Sequence, residues 1–264
     1  MKKVSVIIIN YNTKELTKSC VDSIVADRSN SDAEIIIIDN GSSDGSVKVL
    51  RDLWREHKNI LLIENPVNYG FAKAVNMGIG KAMGEHVLLL NSDTKVTKEA
   101  IRKLVDFADK TPDCALVGAR LINADGSIQP SCFNFPFIIN AFKEYILGIE
   151  GSYGKFYPKG NKPVSVDMCV MAAVLITSRA LKLVGYLDER YFMYMEDFDY
   201  CKRAYENNLK VYYLPKSEVL HAHGASGKSF KKQYTILKAS SRIYHGWIKY
   251  YLINSIIWLG QKIR

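Results

Sequence analysis

Several absences in this 264-residue sequence narrow its chemistry before any motif is read. The five cysteines, Cys20, Cys114, Cys132, Cys169 and Cys201, are widely spaced and never form a CxxC pair. That argues against a disulfide framework or a zinc ribbon and fits a reducing compartment. No apolar stretch reaches the roughly 18–20 residues that a membrane span requires. The run Val4–Ile9 is too short for a signal peptide and leads into Asn10-Tyr11-Asn12 without a small-residue cleavage site. The expectation is a cytoplasmic protein, at most held on the inner face of the cell membrane. Repeats and low-complexity linkers are also lacking, so one continuous domain followed by a tail is expected.

One absence is local. No Asp or Glu follows Glu218, whereas Lys228, Lys231, Lys232, Lys238, Arg242, Lys249, Lys262 and Arg264 all do. Upstream, 28 Lys+Arg face 27 Asp+Glu, so nearly the whole net charge of +9 belongs to the last 46 residues. A neutral body without a nucleic-acid motif speaks against a nucleic-acid partner.

What is present is alternation. Short β-branched runs at Val4–Ile9, Glu34–Ile38, Ile60–Ile63 and His86–Leu90 are separated by helical periods at Lys14–Ala26, Gly45–His57, Phe71–Met83 and Lys98–Asp109. Near-continuous apolar strands between helices predict a parallel sheet covered on both faces. Ser43-Asp44 and Thr97-Lys98-Glu99 supply start signals for two of the helices. Further on, strands are predicted at Ala115–Leu121, Asp167–Thr177, Leu209–Tyr213 and Glu218–His221, with a turn at Asn123-Ala124-Asp125-Gly126. Helices are predicted at Ser178–Val184 and Met195–Glu206. The aromatic, Gly- and Pro-rich segment 133–163 reads as a long loop with a short helix. Two halves are expected, a nucleotide-binding one over about 1–110 and an acceptor-binding one over about 111–227, then a basic aromatic helical segment over 228–264.

In open α/β sheets ligands bind beyond the carboxyl ends of the strands. Those ends carry Asn10-Tyr11-Asn12-Thr13, Asp39-Asn40-Gly41-Ser42-Ser43-Asp44, Asn65-Pro66-Val67-Asn68-Tyr69-Gly70-Phe71 and Asn91-Ser92-Asp93-Thr94. Any one could serve turn geometry alone. Four in succession, with carboxylates, point to a nucleotide or metal site. A dinucleotide-dependent oxidoreductase would place its acid near Asp39, but Asn10-Tyr11-Asn12 is no glycine-rich loop and leaves the backbone no close approach to a pyrophosphate. A divalent metal can hold a diphosphate instead, and Asp93 is a suitable hard oxygen ligand. Asp39 and Asp44 then suit a base or ribose.

These blocks, with Leu187-Asp188-Glu189-Arg190-Tyr191-Phe192-Met193-Tyr194-Met195-Glu196-Asp197-Phe198-Asp199-Tyr200-Cys201, resemble the family 2 inverting glycosyltransferases of GT-A fold. They are most similar to the rhamnosyltransferase-like branch that builds bacterial surface polysaccharides. The resemblance runs from Val4 to about Gly227. It implies a Rossmann-like mixed sheet with helices on both faces, a UDP- or dTDP-sugar donor, a divalent metal (Mg2+ or Mn2+), and a glycan or lipid-linked acceptor. By the same resemblance Asn10 and Tyr11 line the base, with Asn12 beside them, and Asp39 reads its pyrimidine edge. Asn91-Ser92-Asp93 fills the Asp-x-Asp metal motif with Asn in first place, so Asp93 carries the coordination. Glu196-Asp197 matches the Glu-Asp motif whose Asp is the catalytic base, and His221 matches a metal-contacting His. Asn68 and Gly70 belong to a matched block; Lys73, in the helix beyond them, either reaches a phosphate or faces solvent. Asp199 and His223 are less certain members.

The chemistry asks for the same groups. Inversion at an anomeric carbon needs one carboxylate to take the acceptor hydroxyl proton, and a helix start such as Asp197 offers one. Two departures bear on the acceptor: Val170-Met171-Ala172-Ala173 replaces a small-residue segment, and Met168 or Cys169 stands where the family has Trp. A rhamnosyl donor is the first expectation, with UDP-hexose, UDP-N-acetylhexosamine or UDP-galactofuranose as alternatives. A catalytically inactive nucleotide-sugar-binding protein is the different-class alternative. In the tail, Trp247, Trp258, tyrosines and Lys/Arg suit an anionic membrane interface. A terminal helix packed on the core or in a homodimer is the competing reading.

Overall fold

The computed structural model describes residues 3–222 and 230–263. β1 (Val4–Asn10), β2 (Glu34–Asp39), β3 (Ile60–Glu64) and β4 (His86–Asn91) run parallel in the order β3-β2-β1-β4. They are linked by α1 (Lys14–Ala26), α2 (Ser46–Glu56) and α3 (Phe71–Ile79). Pleating sends alternate side chains to opposite faces. Val6, Ile8, Ile35, Ile37, Leu88 and Leu90 join α1 and α2 in one core layer, together with α4 (Ala100–Lys110). Ile7, Ile36, Ile38 and Leu89 join α3 in the other. Because β1, β2 and β4 are buried on both sides, their sequences read as apolar runs and not as alternation, whereas the edge strand β3 leaves Leu61 exposed.

The sheet then becomes mixed. After β5 (Thr94–Val96) and β6 (Cys114–Ile122) come β7 (Ile128–Gln129), β8 (Cys132–Phe133), α5 (Ile138–Tyr145), β9 (Val164–Val166), β10 (Met168–Cys169), β11 (Ala173–Ile176), α6 (Ser178–Leu183), α7 (Glu196–Glu206) and β12 (Lys210–His221). β11 inserts antiparallel between β4 and β6, β12 lies parallel to β6, and β5 closes the edge. β7 and β9 pair with β6 and β12, while β8 and β10 form a separate two-stranded sheet. The mixed sheet with helices on both faces is thus as expected.

Four boundaries differ from the sequence expectation. The strand expected over 167–177 is two strands in different sheets, because Ala172 N–H donates back to Val170 O at 2.8 Å and turns the chain. The two strands expected over 209–221 are one, β12, whose register shifts between Leu214 and Glu218, around Pro215. α3 stops at Ile79, four residues early; beyond it the buried Glu34 carboxylate accepts from Met83 N–H at 2.5 Å and Gly84 N–H at 3.0 Å. α4 starts at Ala100 because Glu99 adopts a left-handed φ of 61°.

The basic tail forms α8 (Phe230–Ile263), broken at Gly246, whose φ of 71° and ψ of 164° are not helical. α8 lies across α5. Tyr250 and Ile253 are buried there, and Ser240 Oγ donates to Met193 O at 2.8 Å. The tail is therefore docked on the body along one side. The division expected at 227/228 falls outside the described residues. Among the described residues no helix is long and apolar enough to cross a membrane.

Candidate functional site

The strand order reverses between β1 and β4, since the chain leaves β1 for β2 and β3 on one side and returns to β4 on the other. Loops diverge at such a switch point and open a crevice. Here the two bordering loops are joined at their base. The Thr13 hydroxyl donates to Asn10 Oδ1 at 2.9 Å and lies 3.0 Å from Ser92 Oγ.

Asn10 and Asp39 are register partners at the ends of β1 and β2. Asn10 Nδ2 donates to Asp39 Oδ1 at 2.6 Å and to Ser42 Oγ at 2.9 Å, while Asn10 Oδ1 also accepts from the Thr17 hydroxyl at 2.6 Å. Asp39 Oδ2 accepts Ser42 N–H at 3.0 Å. Asn10 is fully buried, and its polar atoms hold the floor of the crevice. Tyr11, next in sequence, is 38% exposed and is the side chain available to a base above that floor. Asn12, at φ 55°, accepts Ser43 N–H at 2.7 Å. Asp44 accepts the backbone N–H of Lys14 at 3.1 Å and of Ser46 at 3.0 Å, tying the first turns of α1 and α2 together.

The third loop is built on Asn40 and Asn68. Asn40 Nδ2 donates to Asn68 Oδ1 and Gly70 O, and Asn68 Oδ1 also accepts Gly70 N–H at 2.8 Å. Gly70 has φ 87°, and Phe71 N–H donates to Phe192 O at 2.6 Å. A β-carbon on Gly70 would lie 2.5 Å from that same Phe192 oxygen, so only glycine fits. This contact sews the loop before α7 to the carboxyl edge of the sheet. Lys73 Nζ sits 4.7 Å from the centre of the Tyr69 ring, a cation–π contact at the mouth of the loop.

Asn91-Ser92-Asp93 forms the turn between β4 and β5. Asn91 N–H donates to Ala172 O at 2.9 Å, and its carbonyl accepts the Thr94 hydroxyl at 2.7 Å. The antiparallel pairing of β5 with β12 sets His221 opposite Thr94. That pairing brings His221 Nε2 to 3.3 Å from Asp93 Oδ1, although the two residues are far apart in sequence. Both residues are buried, and Asp93 Oδ1 has no hydrogen-bond partner among the described residues. His221 Nδ1 lies 2.6 Å from Gln129 Oε1. An imidazole whose Nδ1–H donates to that oxygen presents an Nε2 lone pair toward a buried carboxylate oxygen. A divalent cation fits two such donors, one hard oxygen and one neutral imidazole. Sequence reading had the Asn-Ala-Asp-Gly turn that precedes Gln129 but assigned Gln129 no part. His223 lies outside the described residues.

Glu196 and Asp197 open α7. Burial pushes the Asp197 carboxyl up to about 6, against Phe198 N–H, its own N–H and the charge of Lys155. Asp197 Oδ1 accepts that Phe198 N–H at 2.9 Å. Glu196 is raised well above the usual carboxylate range, first by burial and then by the Asp197 charge. Its Oε2 has no hydrogen-bond partner among the described residues. Burial and the Asp197 charge both favour the proton on Glu196, leaving Asp197 the carboxyl that ionises first. Lys155, from the long 146–163 loop, is the cation facing Asp197 and was not singled out in the sequence. Asp199 instead accepts from Arg203 Nε at 2.8 Å, one turn along α7.

A second group with metal-ligand geometry, Glu85, His86 and Asp109, lies at the opposite, amino end of β4. There His86 Nδ1 accepts Ser178 N–H at 3.1 Å, so its Nε2–H is the donor to Asp109 at 2.9 Å, and Lys3 bridges to both acids. With both ring nitrogens engaged and a lysine neutralising the acids, this cluster is a structural ion pair.

Residues 5–172 match the profile of glycosyl transferase family 2. The low-salt glycan biosynthesis hexosyltransferase Agl10 of Haloferax volcanii is 27% identical over 239 residues, covering 88% of this chain and 71% of that protein. The N-acetylglucosaminyl-diphospho-decaprenol L-rhamnosyltransferase of Mycobacterium tuberculosis is 28% identical over 210 residues, covering 71% of this chain and 66% of the relative. A crystal structure of GalNAc-T7 with UDP, GalNAc and Mn2+ superposes with a TM-score of 0.70 at 18% identity, over 95% of this chain and 49% of that one. The fold is that of the GT-A glycosyltransferases. The chain spans from about half to about seven-tenths of the length of these proteins.

Proposed function

This chain belongs to glycosyl transferase family 2, and we propose that it is an inverting, metal-dependent transferase of one sugar from a nucleotide diphosphate donor. The reading is carried by one observation: a buried Asp93 oxygen without a hydrogen-bond partner among the described residues, facing His221 Nε2 across 3.3 Å at the switch point of the sheet. Asp93 and His221 would hold the cation. Bound there, a divalent ion such as Mn2+ or Mg2+ supplies positive charge beside the departing diphosphate.

The chain's own groups account for the rest. Tyr11 and Asp39 receive the base, and Lys73 stands near the phosphates. Asp197, ionised above about pH 6, accepts the proton of the acceptor hydroxyl. The hydroxyl oxygen forms its bond to the anomeric carbon from the face opposite the bond to the diphosphate. That bond breaks with its electron pair leaving on the nucleotide. No enzyme-bound sugar is required, so a single ionised carboxylate suffices.

Rhamnose on dTDP or UDP is the proposed donor, consistent with the rhamnosyltransferase among the relatives, and the acceptor is a glycan or a lipid-linked glycan. α8 supports the lipid-linked choice. Trp247, Ile248, Tyr251, Leu252, Trp258 and Leu259 remain exposed while α8 is docked through Tyr250 and Ile253. With Lys249 and Lys262 beside them and no acid in the segment, they suit an anionic bilayer surface on its cytoplasmic side. Thermal-shift measurements with UDP-, dTDP- and GDP-sugars, with and without Mn2+, test the donor. Stabilisation by one sugar nucleotide only with the metal is expected; no stabilisation by any would overturn the reading.

A further inference from the structure

The reading of Asp93 and His221 as cation ligands leaves open what keeps the imidazole in the right tautomer. We propose that Gln129 is a positioning residue that fixes the His221 proton on Nδ1, and that the β6–β7 hairpin turn fixes the orientation of the Gln129 amide. This inference rests on the metal reading above.

A chain of hydrogen bonds runs inward from the hairpin tip. Asp125, at the hairpin tip, accepts both Ser127 N–H at 2.9 Å and the Ser127 hydroxyl at 2.6 Å. An ionised carboxylate can only accept, so the Ser127 proton is committed to it. Ser127 Oγ must therefore accept from Asn123 Nδ2, 2.9 Å away. That places Asn123 Oδ1 on the other side, where it accepts Gln129 Nε2–H at 2.9 Å. Gln129 Oε1 is consequently turned to His221 Nδ1 at 2.6 Å, and only Nδ1–H can satisfy it. Flipping the Gln129 amide would set two oxygens against each other at Asn123 and a donor against Nδ1–H. The chain thus starts at an exposed carboxylate, which the Ser127 hydroxyl holds below its ordinary range, and ends at the buried face of His221. A ligating imidazole is held by what its other nitrogen donates to, and losing such a partner costs about 10–100-fold in metal affinity.

The test uses the full-length chain with 15N-labelled histidine. In the metal-free protein, long-range 1H–15N NMR should show His221, assigned against His221→Ala, as the Nδ1–H tautomer. Gln129→Leu should move it toward the Nε2–H form and weaken Mn2+ binding, measured by calorimetry with UDP present, by about 10–100-fold. Gln129→Glu keeps an acceptor and should keep the tautomer. Asn123→Ala, at the half-exposed end, should give a mixture without threatening the fold. A wild-type Nε2–H tautomer, or an unchanged tautomer in Gln129→Leu, would overturn the proposal. Undiminished Mn2+ affinity in Asp93→Asn would instead overturn the metal reading, while the metal-free spectra still decide the role of Gln129.

Discussion

Replacing Asp197 with Asn removes the charge that burial disfavours while keeping the shape of the side chain. The Asn Oδ1 still accepts Phe198 N–H, as Asp197 Oδ1 does at the helix start. In the folded protein the carboxyl is raised from its ordinary 3.8 to about 6. A raised carboxylate pKa means that the folded state holds its proton where the unfolded chain has released it. Below about pH 4 both states are protonated and the group contributes nothing. As pH rises to about 6, the unfolded chain ionises freely while the folded one resists. Above that the cost is complete. At 1.36 kcal/mol per unit it is at most about 3 kcal/mol with the attraction to Lys155 already included, and the gain on mutation is about 1–3 kcal/mol. For a chain of this size that corresponds to a rise in melting temperature of roughly 2–10 °C at pH 8. Turnover should fall about 10²–10⁴-fold, the usual contribution of a general base. Melting curves at pH 4 and pH 8 with single-turnover rates test both halves. A melting difference of equal size at both pH values, a less stable variant at pH 8, or turnover within tenfold of wild type would each refute the reasoning.

Other perturbations follow from the same geometry. Turnover of the wild type should decline as pH falls through about 6, following the protonation of Asp197; a flat profile from pH 5 to 8 would count against the base. Glu196→Gln removes a charge that burial disfavours and should not lower the melting temperature at pH 7, whereas Glu196→Ala leaves a cavity and should cost about 1–3 kcal/mol by denaturant titration. Gly70→Ala forces a β-carbon against Phe192 O. It should lower the melting temperature and weaken sugar-nucleotide binding together, and a variant as stable as wild type would show that the loop yields. For α8, Trp247→Ser with Trp258→Ser in the full chain should reduce flotation with anionic liposomes. Equal flotation, or binding unaffected by salt, would remove the membrane proposal. Truncating α8 is a poorer test, because it uncovers the surface on which Tyr250 and Ile253 are buried.

The two-sided burial of β1, β2 and β4 is legible in the sequence because an apolar run has no polar face to hide. The loops at the strand ends are legible for a similar reason: Asn, Asp and Gly recur where the chain must turn and where a ligand would lie. Local periodicity failed at two places. Glu34, distant in sequence, binds the backbone just beyond α3, and the Ala172 N–H to Val170 O bond, inside the segment itself, splits the strand expected over 167–177. The first leaves no mark in the segment it ends, and the second is a tight turn within an unbroken apolar run.

What the sequence determines by itself is thus the chain of strands and helices, the family, and the identity of the groups able to do chemistry, since these depend on residue type and short spacing. Tertiary structure decides which groups meet. Asp93 faces His221 only because β5 pairs with β12, and Gln129 reaches His221 only because β7 folds back on β6. It also raises the proton affinity of both Glu196 and Asp197, because the shift comes first from desolvation and not from residue type. The acid-free tail shows the same division: its charge is written in the sequence, but the side it keeps for the body and the side it leaves exposed are set by packing against α5.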